Sequence, residues 1–156
     1  MTNYALEWYQ YGLQKDDDPI VKFMFHWIAF NWLYSEYRYG GEVSEVQAIR
    51  QFCRVRYKEL SKFKAFRTTE VNVFLEGPVR SIAGGEVTSE GTNIYRDLVY
   101  GEGLTRLTSL LVTIYRVRCN LFHGSKSLRI ERDRNLVRAA SVILEGYLKE
   151  VLKDNL

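Results

Sequence analysis

Apolar residues recur along this chain at helical spacing, and no segment sustains an alternation of apolar and polar positions. The pattern predicts a short aromatic helix over 4–14. Asp16-Asp17-Asp18-Pro19 then marks a second helix start: an aspartate cap, followed by proline where its missing N–H costs nothing. That helix, about 19–39, is apolar on nearly every side, with Ile20, Val21, Phe23, Met24, Phe25, Trp27, Ile28, Phe30, Trp32 and Leu33. A helix hydrophobic all round must be covered all round, and in a domain this small a partner subunit is one way to cover it. Gly40-Gly41 ends it.

A third helix is expected over 44–64, with Val46, Ile49, Cys53 and Leu60 on its core stripe and Phe52 and Phe63 beside it. Arg50, Arg54 and Lys58 follow one another on a different face. Residues 70–82 read as helical, with a kink near Gly77-Pro78. Residues 83–103 carry five glycines with Thr, Ser and Asn and read as a loop. A long helix over 104–122 has Leu107, Leu111, Ile114 and Leu121 on its stripe, and Gly124 sits where a left-handed C-cap is expected. Asp133 is the expected cap of a last helix, 134–153, which turns Leu136, Ala140, Ile143, Tyr147 and Val151 inward. The fold class is therefore all-α, an up-and-down bundle of about five helices forming one domain over 1–156.

Composition narrows the function classes. Eleven Tyr, eight Phe and three Trp supply a heavy aromatic core. No run is long and uncharged enough to span a bilayer, so no membrane partner is expected. The N-terminus has no basic start leading into an apolar stretch, so no signal peptide is expected. Two isolated cysteines, Cys53 and Cys119, form no CxxC pair and suit a reducing cytoplasm. Two histidines, His26 and His123, leave no His-rich metal site, and no metal or other cofactor is expected. His26, inside the apolar helix, reads as a satisfied core histidine. Asp16 to Asp18 are explained by capping, and Gly124-Ser125-Lys126-Ser127 lacks the glycine spacing and preceding strand of a phosphate loop.

The net charge is only +3, but it is unevenly distributed. Arg50 to Arg67 holds seven Lys/Arg and one acid, and Arg116 to Arg138 holds seven and two. The rest of the chain is net acidic. Such segregation can build a basic surface on a nearly neutral protein.

The candidate chemistry lies in Arg116-Val117-Arg118-Cys119-Asn120-Leu121-Phe122-His123-Gly124. Arg118 falls on the apolar stripe of its helix, a costly place for a charge unless it is paired or faces an interface cleft. His123, in the last turn, is a side chain that can exchange a proton near neutral pH. Arginine forks fit phosphate oxygens. The set suits phosphoryl chemistry without a metal, although a histidine ending a helix can also serve only the helix dipole. In an ideal helix Arg118 and His123 point roughly 140° apart, whereas Arg116, Asn120 and His123 share a face. The working arginine is thus Arg116 on a single helix, or Arg118 if the helix end deforms or a second subunit completes the site.

Arg118-Cys119-Asn120-Leu121-Phe122-His123-Gly124, with Lys126 after it and Arg132-Asp133 opening a final helix, resembles the HEPN superfamily, whose motif is Arg, four to six residues, then His. The aromatic segment Trp27-Ile28-Ala29-Phe30-Asn31 is similar too. The resemblance implies a helical bundle that homodimerises with its two motifs facing each other. Many members are metal-independent endoribonucleases of toxin–antitoxin, anti-phage and RNA-processing systems, some with an antitoxin protein as partner. Carried over by position, His123 is the catalytic histidine and Arg118 the arginine, with Asn120 orienting a phosphate or the imidazole. The residue after the arginine, usually Asn, Asp or His, is Cys119 here. The tyrosine two places after the histidine, found in members paired with a nucleotidyltransferase antitoxin, is Ser125. The implied reaction is attack of an RNA 2′-OH on the adjacent phosphorus, with one His123 as base and its symmetry mate as acid. RNA would be held by Arg116, Lys126, Arg50, Arg54 and Lys58. The alternative is a catalytically silent relative that binds RNA or nucleotides, or serves as an interaction scaffold.

Overall fold

A computed structural model describes residues 3–38, 40–80, 87–123 and 129–156 of the chain. Among them every regular element is helical. Gly124 and Lys126 lie outside the described residues.

Local chemistry sets the first helices. Helix α1 (Tyr4–Leu13) is capped by Asn3, whose Oδ1 accepts from the Leu6 N–H at 3.2 Å. Helix α2 (Pro19–Ser35) starts as expected: Asp18 accepts from the N–H groups of Ile20 and Val21, with Pro19 first in the helix. Helix α3 (Glu45–Val55) opens on a reciprocal capping box, with the Ser44 hydroxyl accepting from the Gln47 N–H and the Gln47 side chain accepting from the Ser44 N–H.

The long helix expected over 44–64 is broken. It stops at Val55 and resumes for one turn as α4 (Tyr57–Leu60). The break lets Arg56 turn inward, where it donates to Glu59 and to the carbonyl of Val151. Of the helix expected over 70–82, only α5 (Asn72–Leu75) forms among the described residues, which end at Arg80 in this stretch. Pro78, without an N–H, cannot extend it.

The segment read as a loop contains a three-turn helix, α6 (Ser89–Tyr100). Thr88 caps it, its hydroxyl accepting from the Gly91 N–H at 3.0 Å, and Ile94 and Leu98 form its buried stripe. The glycine count misled because Gly91 has a packing role: a Cβ there would stand 3.0 Å from the Arg116 guanidinium. Gly101 and Gly103 make the sharp passage into α7 (Gly103–Phe122), with Gly103 at φ +52°. Helix α8 (Glu131–Leu152) begins earlier than expected: Ile130 occupies the cap position, and Asp133 is buried in the first turn instead of capping.

Helix α2 packs against α1, α3 and α8, while α7 packs against α3, α6 and α8. The core between them is aromatic: Phe23, Trp27, Phe30, Tyr34, Phe52 and Phe74 are all buried. Trp27, Phe30, Tyr34 and Phe52 form a chain of mostly edge-on contacts that joins α2 to α3. The predicted stripe of α7 is buried at Leu107, Leu111 and Ile114. No helix among the described residues is long and apolar enough to cross a membrane.

The apolar helix is not fully covered within one chain. Met24, Ile28 and Trp32, four residues apart on α2, remain exposed, as do Tyr4 and Tyr11 of α1. Trp32 packs edge-on against Tyr4.

Candidate functional site

Helix α7 carries the motif, and its register sends the residues to different neighbours. Arg118 lies partly buried beneath the stripe of Leu107, Leu111 and Ile114, where the sequence demanded a partner. That partner is Glu45 at the start of α3, whose Oε2 is 3.7 Å from the Arg118 Nη1. The guanidinium carbon also sits 5.5 Å from the Trp27 ring centroid and 5.1 Å from that of Phe122. Two aromatic faces and one carboxylate therefore hold it. Its Nε and the Trp27 Nε1 are buried with no acceptor among the described residues.

Glu45 has a second task. The Tyr34 hydroxyl donates to its Oε1 and also lies 2.8 Å from the Asn31 Oδ1. Burial pushes the Tyr34 hydroxyl far above its ordinary pKa, and the neighbouring carboxylate adds to the effect. Asn31, Tyr34, Glu45 and Arg118 thus form one polar cluster between α2, α3 and α7.

Arg116 faces the other way. Its Nη2 is 3.4 Å from Glu90 in the first turn of α6. Asn120, also buried, donates from Nδ2 to the carbonyl of Arg80 at 2.9 Å. Arg116, Cys119 and Asn120, with Tyr115, Arg80, Thr88, Glu90 and Val46, line an open groove of about 320 Å³. Burial, with the neighbouring Cys119 thiol adding to it, pushes the Tyr115 phenol above its ordinary pKa.

His123 sits at the C-cap of α7, its backbone N–H donating to the carbonyl of Cys119 at 3.0 Å, and its side chain is exposed. It is not a wall of the Arg116 groove. Within one chain, then, Arg116 and Asn120 are brought together, Arg118 is held apart on the Trp27 side, and His123 is presented at the helix end. The helical angles anticipated that Arg116 and Asn120 share a face and that Arg118 points elsewhere; they also put His123 on the Arg116 face, whereas the structure has it at the C-cap and outside that groove.

Among the expected RNA contacts, Arg50, Arg54 and Lys58 are exposed. Several other cations are matched by acids from elsewhere in the chain: Arg116 by Glu90, Arg118 by Glu45 and Arg132 by Glu76. Glu45, Glu90 and Arg80 are the site residues that sequence reasoning missed. Each is remote in sequence from the motif, and nothing in its local spacing marks it.

His26 is fully buried, as expected, but only half satisfied. Its Nε2 lies 3.3 Å from the carbonyl of Tyr9, while Nδ1 has no partner among the described residues. Burial pushes its pKa down to about 4, against the opposing pull of Glu145.

No protein-family model, curated protein or solved structure matches the chain. Among the described residues no cluster of three His, Cys, Asp or Glu side chains is arranged to hold a metal ion.

Proposed function

We propose that the protein is a HEPN-like, metal-independent endoribonuclease that works as a homodimer. One His123 removes the proton from an RNA 2′-OH, and the partner's His123 protonates the leaving 5′-oxygen. Arg118 stabilises charge building on the phosphorus. The products are a 2′,3′-cyclic phosphate and a 5′-hydroxyl end. Asn120 acts from behind, anchoring the backbone at Arg80 beside the motif.

The observation that carries this reading is the end of α7. It offers an exposed imidazole, while an arginine on the same helix is fixed by Glu45, Trp27 and Phe122. A guanidinium with few conformations loses little entropy when it meets a phosphate. The uncovered strip of Met24, Ile28 and Trp32, with Tyr4 and Tyr11, supports self-association. The test is purified protein with single-stranded RNA in EDTA. Cleavage leaving cyclic phosphate ends is expected and should disappear in His123→Ala; undiminished cleavage by that variant rejects the mechanism.

One observation favours a second reading, a catalytically silent RNA-binding domain. Arg116, Arg118 and Asn120 each already have a partner in their own chain. RNA binding without any cleavage would select it.

A further inference from the structure

A second cleft lies away from the motif. It has a volume of about 340 Å³ and lies between the connection after α4 and the junction of α6 with α7. It shares no lining residue with the groove at Arg116 and Asn120. Its aromatic walls are Tyr57, Phe63, Phe66 and Tyr147, and its charged rim is Lys64, Arg67, Arg106 and a single acid, Glu102.

The walls are built, not incidental. Phe63 lies on α8 where Gly146 leaves room: a Cβ there would come within 2.3 Å of the Phe63 ring. Tyr147 meets Phe63 edge-on at 5.2 Å. Arg106 is held over the Phe66 ring at 3.9 Å and donates from Nε to the carbonyl of Leu98, which leaves its terminal nitrogens for another acceptor. Lys64 is held by the carbonyl of Ser61. Gly103 keeps the far wall thin, since a Cβ there would stand 3.2 Å from the Tyr57 hydroxyl.

The charge around this cleft is also distinctive. Arg50, Arg54, Lys58, Lys62, Lys64 and Arg67 are all exposed, and none is ion-paired with a described residue. Six cations without a described carboxylate partner therefore lie close together in sequence on the segment that ends at the cleft. A phosphate backbone suits such a track, and a flat ring suits the aromatic walls. Glu102 and the Tyr57 hydroxyl supply an acceptor and a donor, which a nucleobase edge can use and a plain hydrocarbon ring cannot. The volume is at the small end of ligand pockets, ~300–1,000 Å³, so the cleft takes one base and not two.

We infer that this cleft is a base-binding subsite for single-stranded RNA: the strand follows the Arg50–Arg67 cations, and one unstacked base enters between Phe63, Phe66 and Tyr57, with its phosphate at Arg67 and Arg106. The inference rests on the RNA-binding part of the proposed function and not on cleavage.

The test uses the full-length protein and two short 2′-O-methyl RNA strands, which resist attack by their own ribose oxygens. One strand carries bases and the other is abasic with the same backbone. The base-bearing strand should bind about tenfold more tightly, the range of one stacked base. Phe66→Leu should bring that ratio close to one. Arg67→Ala, at an exposed position that threatens no packing, should weaken both strands alike and lower the salt slope by about one. A wild-type ratio of one, or a ratio untouched by Phe66→Leu in a folded variant, overturns the inference while RNA binding stands. Failure of both strands to bind overturns the inference together with the RNA reading. Binding with the expected ratio but no cleavage of ordinary RNA upholds the inference and removes only the nuclease.

Discussion

Glu45 is the residue on which two buried polar groups depend, so removing it tests the account of Arg118 most directly. Its carboxylate is 3.7 Å from the Arg118 Nη1, with side-chain exposures of 27% for Arg118 and 19% for Glu45. At an effective dielectric constant of about 20 the gross attraction is roughly 4–5 kcal/mol. Most of that is offset by the desolvation of both ions, and residual exposure screens the remainder, leaving about 1–2 kcal/mol. The Tyr34 hydroxyl adds about 1 kcal/mol, because Asn31 Oδ1 at 2.8 Å can take over its proton when Glu45 is gone. Glu45→Ala should therefore lose about 2–3 kcal/mol. For a chain of this length that is a drop in Tm of roughly 4–12 °C. Glu45→Gln keeps an acceptor for Tyr34 and should lose only the charge contribution. Urea unfolding followed by circular dichroism measures both. In a double-mutant cycle with Arg118→Ala, the combined loss should fall short of the sum by about 1 kcal/mol. A loss below about 0.5 kcal/mol for Glu45→Ala, or strict additivity with Arg118→Ala, would refute the claim that Glu45 makes the buried arginine tolerable.

Three further outcomes follow from packing and burial. Gly146→Ala should destabilise by about 1–2 kcal/mol, although alanine is the better helix former by ~1 kcal/mol, because its Cβ would meet the Phe63 ring at 2.3 Å; a gain in urea midpoint would contradict the packing. His26, with a folded pKa of about 4 against 6.5 unfolded, binds fewer protons in the folded state. Its contribution is complete above pH 6.5 and is lost as pH falls toward 4, at most about 3 kcal/mol. Midpoints measured over this window should fall with acid in the wild type and flatten in His26→Gln, and equal slopes would reject the assignment. Cys53 is buried and its thiol is pushed up to about 12, whereas Cys119 is half-exposed. Iodoacetamide should therefore label Cys119 in the native protein and Cys53 only on unfolding, read by mass spectrometry.

The sequence was most legible where local chemistry decides the structure. The Asp18–Pro19 start, the apolar α2 and the stripe of α7 all follow from residues a few positions apart. Reading failed where a residue serves a distant neighbour. Arg56 interrupts α3 to reach the carbonyl of Val151, and Gly91 belongs in α6 because Arg116 lies close above it. Both look, locally, like an ordinary helical arginine and an ordinary loop glycine. At the motif, the burial of Arg118 and its need for a partner were legible, but the partner itself was not, since Glu45 is brought to it only by the packing of α3 against α7.

The charge pattern shows the same limit more sharply, and it changes where RNA contact is to be sought. Counted along the chain, the runs Arg50–Arg67 and Arg116–Arg138 look equally basic. Folding treats them differently. In the second run three of the seven cations, Arg116, Arg118 and Arg132, are paired with Glu90, Glu45 and Glu76 from elsewhere in the chain. The first run keeps Arg50, Arg54, Lys58, Lys62, Lys64 and Arg67 at the surface. Surface cations without carboxylate partners keep their full attraction for phosphate, while paired ones must first give up a partner. Backbone affinity should therefore reside on α3, α4 and the connection that follows. Any chemistry at His123 would then act on a strand held mainly by other elements of the molecule. Neutralising Arg50, Arg54 and Lys58 together should accordingly weaken RNA binding more than Arg116→Ala does. The opposite order in a salt-matched titration would mean that Glu90 does not neutralise Arg116 in solution.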